Sequence, residues 1–468
     1  MKKYLFYLFL SVITSAMFSQ SHWDSLPGGV FQNVYSINSM YVDSEYLYVS
    51  GDFNKVAGIP MKGIARWNGI KWDSMGGGIE NFKRSPGNVN AMAIYHQKLY
   101  VAGVFPGLGN VSAYSVGRWD GTAWDSIPIK PFKHDSAGII SALTVINDKL
   151  YMGGDFDTVA GIPCNGITYW DDTNWHSMNF PKIIKGYVGI AAICQYKGSI
   201  YVAGNFSNDT IGSILRWDNT GWHSVDTGIK NAQFMTDMAV YKGELYVAGY
   251  FFQSDGNVGQ NIQKWNGTKW NDVGGESNYA IQRLLVYNNK LYALGTYTFI
   301  GGFYAPGIAE WDSTQWCRPD TLGAFWDNGD EPTVGCIYKD SLFVGGMFTE
   351  IDGRRVDYYV TEWVGGNYVD SCIRGWPTGL NNLKIKNEVT VYPNPNNGQF
   401  TLSLSNVNSV SNIEIYNVLG EKVYTEALLQ HQNNNAINLT GQSNGVYLYR
   451  VITETGNLVG EGKVVLQK

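Results

Sequence analysis

Leu47-Tyr48-Val49-Ser50-Gly51-Asp52-Phe53 is the stretch that decides how the chain folds. Its first five positions return at 99–103, 150–154, 200–204, 245–249, 291–295 and 342–346. The mean step is about 49 residues, the length of one four-stranded unit in propeller-type repeats. Two residues beyond each glycine stands an aromatic: Phe53, Phe105, Phe156, Phe206, Phe251, Tyr297 and Phe348. A second element follows each copy, a pair of tryptophans five residues apart: Trp67/Trp72, Trp119/Trp124, Trp170/Trp175, Trp217/Trp222, Trp265/Trp270 and Trp311/Trp316, with Trp363 and Tyr368 in the last unit. Asn68-Gly69, Asp120-Gly121 and Asn266-Gly267 between the pairs are dipeptides that favour tight hairpins with positive φ. Each unit therefore reads as four strands, a to d, such as 89–95, 99–105, 115–119 and 123–127.

A single four-stranded unit cannot bury both its faces, so seven of them are expected to stack into a ring. The expected fold is all-β: a seven-bladed β-propeller over residues 21–373. Trp23-Asp24-Ser25-Leu26 repeats the d-strand sequence Trp72-Asp73-Ser74-Met75 yet precedes the first a-strand. It either completes the last blade, the preferred reading, or caps an edge. The a–b and c–d connections are short, whereas the b–c and d–a connections are long and read as irregular. In an up-and-down blade the two long kinds share one face, which is where function is expected.

Composition agrees with this class and excludes others. Glycine (55), tryptophan (16) and tyrosine (31) are abundant, only 16% of residues are charged, and the net charge is −6, which argues against nucleic acid as a partner. Residues 1–20, with Lys2 and Lys3 before a short apolar run, read as a secretory signal peptide too short to span a bilayer. No transmembrane segment is expected in the mature protein. Of the five cysteines, Cys194 and Cys336 share a repeat position with Ala93 and Ala239, as small core residues would, and a Cys317–Cys336 bridge is not expected.

The repeat resembles that of secreted bacterial propellers of the broad kelch and galactose-oxidase-like superfamily, over residues 23–373. After a linker at 374–387 the pattern changes. Tyr392-Pro393-Asn394-Pro395, Gly398 and Phe400 open an alternating strand, and strands separated by turns at Gly420 and Gly445-Val446-Tyr447 complete a small antiparallel, immunoglobulin-like β-sandwich at 388–468. This module resembles the type A C-terminal sorting domain of the type IX secretion system of Bacteroidota. The resemblance implies export to the periplasm, passage through the outer membrane by the type IX machinery, and release or attachment at the cell surface. It carries the sorting signal on Tyr392, Pro393, Asn394, Pro395, Gly398, Phe400, Gly420, Gly445 and Tyr447.

No catalytic or metal motif stands out, and no cofactor is expected. Asp327-Asn328-Gly329-Asp330-Glu331 reads as a solvated acidic turn before a calcium loop. The off-template carboxylates Asp52, Asp155, Glu310, Asp327 and Glu350 do not assemble into a catalytic pair. Off-template aromatics (Tyr114, Phe132, Tyr187, Phe299, Phe303, Tyr304 and Trp326) fall in or near the loop face, where sugars or a protein partner are bound. The favoured function is an exported binding scaffold for a glycan or protein; the alternative is a polysaccharide-active hydrolase or lyase.

Overall fold

The computed structural model describes residues 22–25, 31–32, 34–82, 87–127, 131–133, 136–181, 189–206, 212–319, 331–348, 350–351, 354–355, 359–364, 389–404, 411–418, 420–428, 434–453 and 458–468. The chain divides into two compact units, Met1–Gly375 and Trp376–Lys468. Apart from one 3-10 turn at Gln253–Asp255, the described elements are strands in small antiparallel sheets.

In the first unit seven four-stranded sheets follow the sequence repeat. They are numbered here by their first strands: Ile37–Val42, Asn88–Tyr95, Ile139–Ile146, Gly189–Tyr196, Phe234–Tyr241, Ile281–Tyr287 and Glu331–Tyr338. Sheet 3 is representative, with Ile139–Ile146, Lys149–Asp155, Ile167–Trp170 and Trp175–Ser177 in chain order. Sheet 7 takes its fourth strand from the other end of the unit: His22–Ser25 pairs antiparallel with Val360–Val364, Trp23 opposite Trp363.

Every first strand carries a register shift near its start. The extra residue is Asn38, Asn90, Ser141, Ala191, Thr236, Gln282 or Thr333. Such a bulge inserts one unpaired residue and bends the strand locally. It also explains the repeat glycine. A Cβ on Gly51, Gly103, Gly154, Gly204, Gly249, Gly295 or Gly346 would lie 2.0–2.4 Å from a carbonyl oxygen two residues ahead of the bulge, at the start of the first strand or just before it. Only a residue without Cβ admits that approach.

The core lies between successive sheets. Tyr95, Tyr100 and Ala102 of sheet 2 share a cluster with Ile140, Met152, Phe156, Trp170 and Trp175 of sheet 3. Cys336, Tyr338 and Phe343 of sheet 7 share another with Leu47, Val49, Trp67 and Trp72 of sheet 1. The aromatic after each repeat glycine is buried in all seven sheets.

Hydrogen bonds join neighbouring sheets, each kind of donor keeping its own sense. In several sheets the second tryptophan donates Nε1–H to the sheet before it: Trp124 to Met75 O at 2.7 Å, Trp222 to Met178 O at 2.8 Å, and Trp316 to Val273 O at 2.6 Å. Where a first strand ends in tyrosine, that tyrosine donates to the sheet after it: Tyr196 to Gly243 O at 3.0 Å, Tyr241 to Asn289 O at 2.8 Å, and Tyr338 of sheet 7 to Glu45 O of sheet 1 at 2.8 Å. Lys197, Lys242 and Lys339 reach the next sheet's third turn in the same sense, Lys339 donating to Asn68 O at 2.9 Å.

Two sequence expectations need correction. First, several b–c connections are not irregular: Lys55–Val56 with Ile59–Pro60, Thr158–Val159 with Ile162–Pro163, and Phe299–Ile300 with Phe303–Tyr304 are miniature hairpins, whereas that of sheet 5 holds the 3-10 turn. The preceding d–a connection adds to several of them, as Phe31–Gln32 does beside Val56 and Pro131–Lys133 beside Val159. The loop face is thus a second tier of small sheets. Second, the Asn-Gly turns have positive φ only at the glycine, 95° at Gly69. Trp67 pairs with Trp72, leaving four residues between, and the Asn68 Oδ1 accepts from the N–H groups of Ile70 and Lys71 at 2.9 and 3.0 Å. Two consecutive positive φ values occur instead in the a–b turns, at His96-Gln97, Asn147-Asp148, Asn288-Asn289 and Lys339-Asp340. In agreement with the sequence, Cys336 is free and the 317–336 bridge is not made; the buried Cys317 is nonetheless disulfide-bonded, which its spacing did not foretell.

The second unit has two sheets around one core. Val389–Tyr392, Gln399–Leu404 and Asn434–Asn438 form one, and Lys422–Leu428, Ser411–Tyr416, Gly445–Thr453 and Leu458–Leu466 the other. Phe400, Leu402, Ile413, Ile415, Ile437, Tyr447, Val451 and Val464 are buried between them.

Candidate functional site

The first strands of all seven sheets line one cavity of about 410 Å³. The bulge places its extra residue on this wall in every sheet, and six of the seven are polar. Several of these side chains bridge to the next sheet. Asn90 Nδ2 donates to Ile140 O at 2.9 Å, Thr236 Oγ1 to Ile281 O at 2.6 Å, and Thr333 Oγ1 to Ile37 O at 3.4 Å. Asn38 Nδ2 donates to the Asn88 Oδ1 at 2.7 Å. The wall is therefore a belt of amides and hydroxyls held by the scaffold itself.

One position deeper, the residues are Ser39, Ala91, Ala142, Ala192, Asp237, Arg283 and Val334. Asp237 is buried; its Oδ1 accepts from the N–H of Met238 and its Oδ2 from that of Leu284, both at 2.9 Å. Arg283 Nε lies 3.5 Å from Asp237 Oδ2, and the arginine side chain keeps 45% of its exposure. Burial pushes the Asp237 carboxyl above its usual range, against the pull of Arg283 and the two N–H groups. Nearby Cys194 and Cys336 are pushed up to about 12, both chiefly by burial, and so stay protonated thiols.

An aromatic cluster stands at the start of the same strands. Phe234, two residues before Thr236, stacks on Tyr250 at 5.6 Å, and Tyr250 meets Phe252 at 5.0 Å and Tyr279 at 5.1 Å. Tyr279 is half exposed.

The carboxylates singled out from the sequence are not brought together. Glu310 is buried in sheet 6 and paired with Lys290 Nζ at 2.5 Å; Asp155 is buried and Asp52 half-buried at the ends of second strands. Asp327, Tyr187 and Trp326 lie outside the described residues, as do the side chains of Glu350 and Phe132. Phe299 and Tyr304 face one another at 5.4 Å in a miniature hairpin, Phe303 is buried, and Tyr114 is exposed. Sequence reasoning missed Asp237, Arg283 and the cluster around Tyr250. Aligning the first strands on their bulges would have found the first two, because both break a column of small residues.

Of the second-unit residues singled out from the sequence, Tyr392, Pro393, Asn394, Pro395, Gly398 and Phe400 lie in and beside the turn between Val389–Tyr392 and Gln399–Leu404, and Gly420, Gly445 and Tyr447 lie elsewhere. Tyr392-Pro393 and Asn394-Pro395 are cis peptides. The Asn394 side chain completes the edge of the last strand, donating to Lys463 O at 2.9 Å and accepting from Val465 N–H at 2.8 Å. Asn396 Oδ1 accepts from Gly398 N–H at 2.8 Å, and Gly398 (φ 101°) leaves no room for a Cβ against Thr440 Cα at 2.8 Å. Phe400 and Tyr447 are buried, Tyr447 Oη donating to Ser443 O at 2.9 Å; Gly420 and Gly445 take positive φ in open turns. On the other sheet Glu414 accepts from Lys422 Nζ and Arg450 Nε at 2.6 Å and from Tyr416 Oη at 2.7 Å.

Residues 390–467 match the secretion system C-terminal sorting domain family. No curated protein matches the chain. Among solved structures it is similar to PorZ, a surface component of the type IX secretion system of Porphyromonas gingivalis, at 14% identity over 92% of this chain and 66% of that one, TM-score 0.39. The extracellular domain of a putative one-component system from B. thetaiotaomicron is 12% identical over 95% of this chain and 58% of that one, TM-score 0.43. A fungal alcohol oxidase of the AA5 family in complex with copper is 11% identical over 96% of this chain and all of its own length (100%), TM-score 0.44. The chain thus spans no more than 66% of the first two, and with TM-scores below 0.5 no function passes from any of the three. Residues 390–467 are a C-terminal sorting domain, which indicates handling by the type IX secretion machinery and delivery outside the cell or to its surface.

Proposed function

We propose that the seven sheets are the blades of a closed propeller over residues 21–373, exported behind a signal peptide at 1–20. An immunoglobulin-like sorting sandwich at 388–468 follows a linker at 374–387. The role of the propeller is to bind a glycan at the mouth of its central cavity. Closure is supported by the pairing of His22–Ser25 into sheet 7 and by the three donors that pass from sheet 7 to sheet 1, Thr333, Tyr338 and Lys339. The kelch and galactose-oxidase-like kinship is part of the same reading. The glycan role rests on one observation: the Phe234–Tyr250–Phe252–Tyr279 cluster stands beside a polar belt of amides and hydroxyls. Sugars are held by this combination, with aromatic faces against the C–H side of the ring and fixed polar groups for its hydroxyls. Asp237 is the one carboxylate among the described lining residues, so the paired carboxylates of a glycosidase do not meet there.

A glycan array followed by a polysaccharide-degradation assay on the mature chain tests the reading. Binding without turnover is expected, with at least a tenfold loss of affinity in Tyr250→Ala. Turnover would replace the scaffold with the hydrolase or lyase alternative, and silence in both assays would remove the glycan.

A further inference from the structure

The cavity wall repeats itself around the ring of strands except at one place. In the column beyond the bulge, Ser39, Ala91, Ala142 and Ala192 are small, whereas the adjacent sheets 5 and 6 carry Asp237 and Arg283. A scaffold needs neither charge, since alanine serves three other sheets at the same position. Burying a carboxylate is costly unless it is bonded, and Asp237 is bonded on both oxygens. Those bonds tie Asp237 to Leu284 N–H, the backbone group next to Arg283, and its Oδ2 faces the Nε edge of the guanidinium at 3.5 Å. The two terminal amino groups of Arg283 meet no acceptor among the described residues, and the side chain is 45% exposed. A planar, positioned guanidinium with an unoccupied outer edge matches a carboxylate, which accepts two parallel N–H bonds from such a fork. The cavity, about 410 Å³, falls within the range of small-molecule pockets, roughly 300–1,000 Å³.

Resting on the glycan reading above, we infer that the ligand is an acidic sugar. The carboxylate of a uronic acid residue takes the outer edge of Arg283, while the amides of Asn38, Asn90 and Gln282 serve its hydroxyls. Asp237 is a positioning residue that holds the guanidinium rather than touching the ligand.

Isothermal titration of the mature chain with tetramers of galacturonate and mannuronate, each beside its carboxyl-reduced counterpart, tests this. The wild-type protein is expected to bind an acidic tetramer at least tenfold more tightly than its reduced form. Arg283→Gln should erase that preference while the reduced tetramer still binds. If the glutamine variant does not fold, Arg283→Lys serves instead, and should lose at least threefold of the preference because an ammonium offers no fork. Equal binding of acidic and reduced tetramers, or a preference that survives either substitution, overturns the acidic ligand and leaves the glycan reading standing. Failure of every tetramer to bind overturns the acidic ligand, while the glycan reading falls only if the array is silent too.

Discussion

At Gly154 a Cβ would sit 2.1 Å from the Ile139 carbonyl oxygen and 2.8 Å from Ile140 Cα, backbone atoms with nowhere to move. At Gly161, in the miniature hairpin, φ is +81° but nothing lies within 4 Å. The two glycines are needed for different reasons, and their alanine variants should differ accordingly. Gly154→Ala is expected to destabilise by about 3 kcal/mol through overpacking, and Gly161→Ala by about 1 kcal/mol through the left-handed conformation alone. Urea unfolding of both variants checks the order. Glu414 offers a test by pH. Hydrogen bonds from Lys422, then Tyr416 and Arg450, bring its pKa down to about 2 from 4.5. The folded state thus holds that proton less tightly than the unfolded chain, so the contribution is complete above pH 4.5 and fades as pH falls toward 2. Glu414→Gln should cost roughly 1 kcal/mol at pH 7 and nothing at the acid end. Amide exchange along Gly445–Thr453 across that range would show it.

Strands long enough to show a period were legible in the sequence, because the Leu-Tyr-Val-x-Gly run and the tryptophan pair mark the second, third and fourth strands of each sheet. The miniature hairpins were not, since two-residue strands carry no alternation. Only the recurrence of Val56-Ala57-Gly58-Ile59-Pro60 at Val159–Pro163 hinted at them. The bulge was invisible for another reason: its sequence signal is the glycine on the strand opposite. The site was hidden for the same cause, as Asp237 and Arg283 look ordinary until the first strands are aligned on that bulge. At this scale the seam between sheets is open to test. Trp124→Phe keeps an aromatic side chain but removes the Nε1–H donor to Met75 O and part of the buried ring system, and should destabilise by at least about 1–2 kcal/mol. A urea midpoint that does not move would show that the bond contributes nothing beyond packing.

For the whole molecule, the tie between the two ends of the first unit is four residues long. Trimming the chain through Ser25 removes the outer strand of sheet 7 and takes Trp23 from its T-shaped contact with Trp363 at 5.0 Å. The melting temperature is expected to fall, with faster amide exchange along Val360–Val364. The bonds between sheets carry a further consequence. Tyrosine, lysine and bulge donors all point from one sheet to the next, and the tryptophans point back, so each sheet has two unlike flanks. A molecule sprung open between sheets 7 and 1 would bare one flank of each kind, and these are complementary to one another. Such an open form is a monomer with a head and a tail, able to add to a second copy through the very contacts that should have been made within one chain. The trimmed protein should therefore elute as a concentration-dependent ladder of oligomers in size-exclusion chromatography, whereas the intact chain stays at a single size.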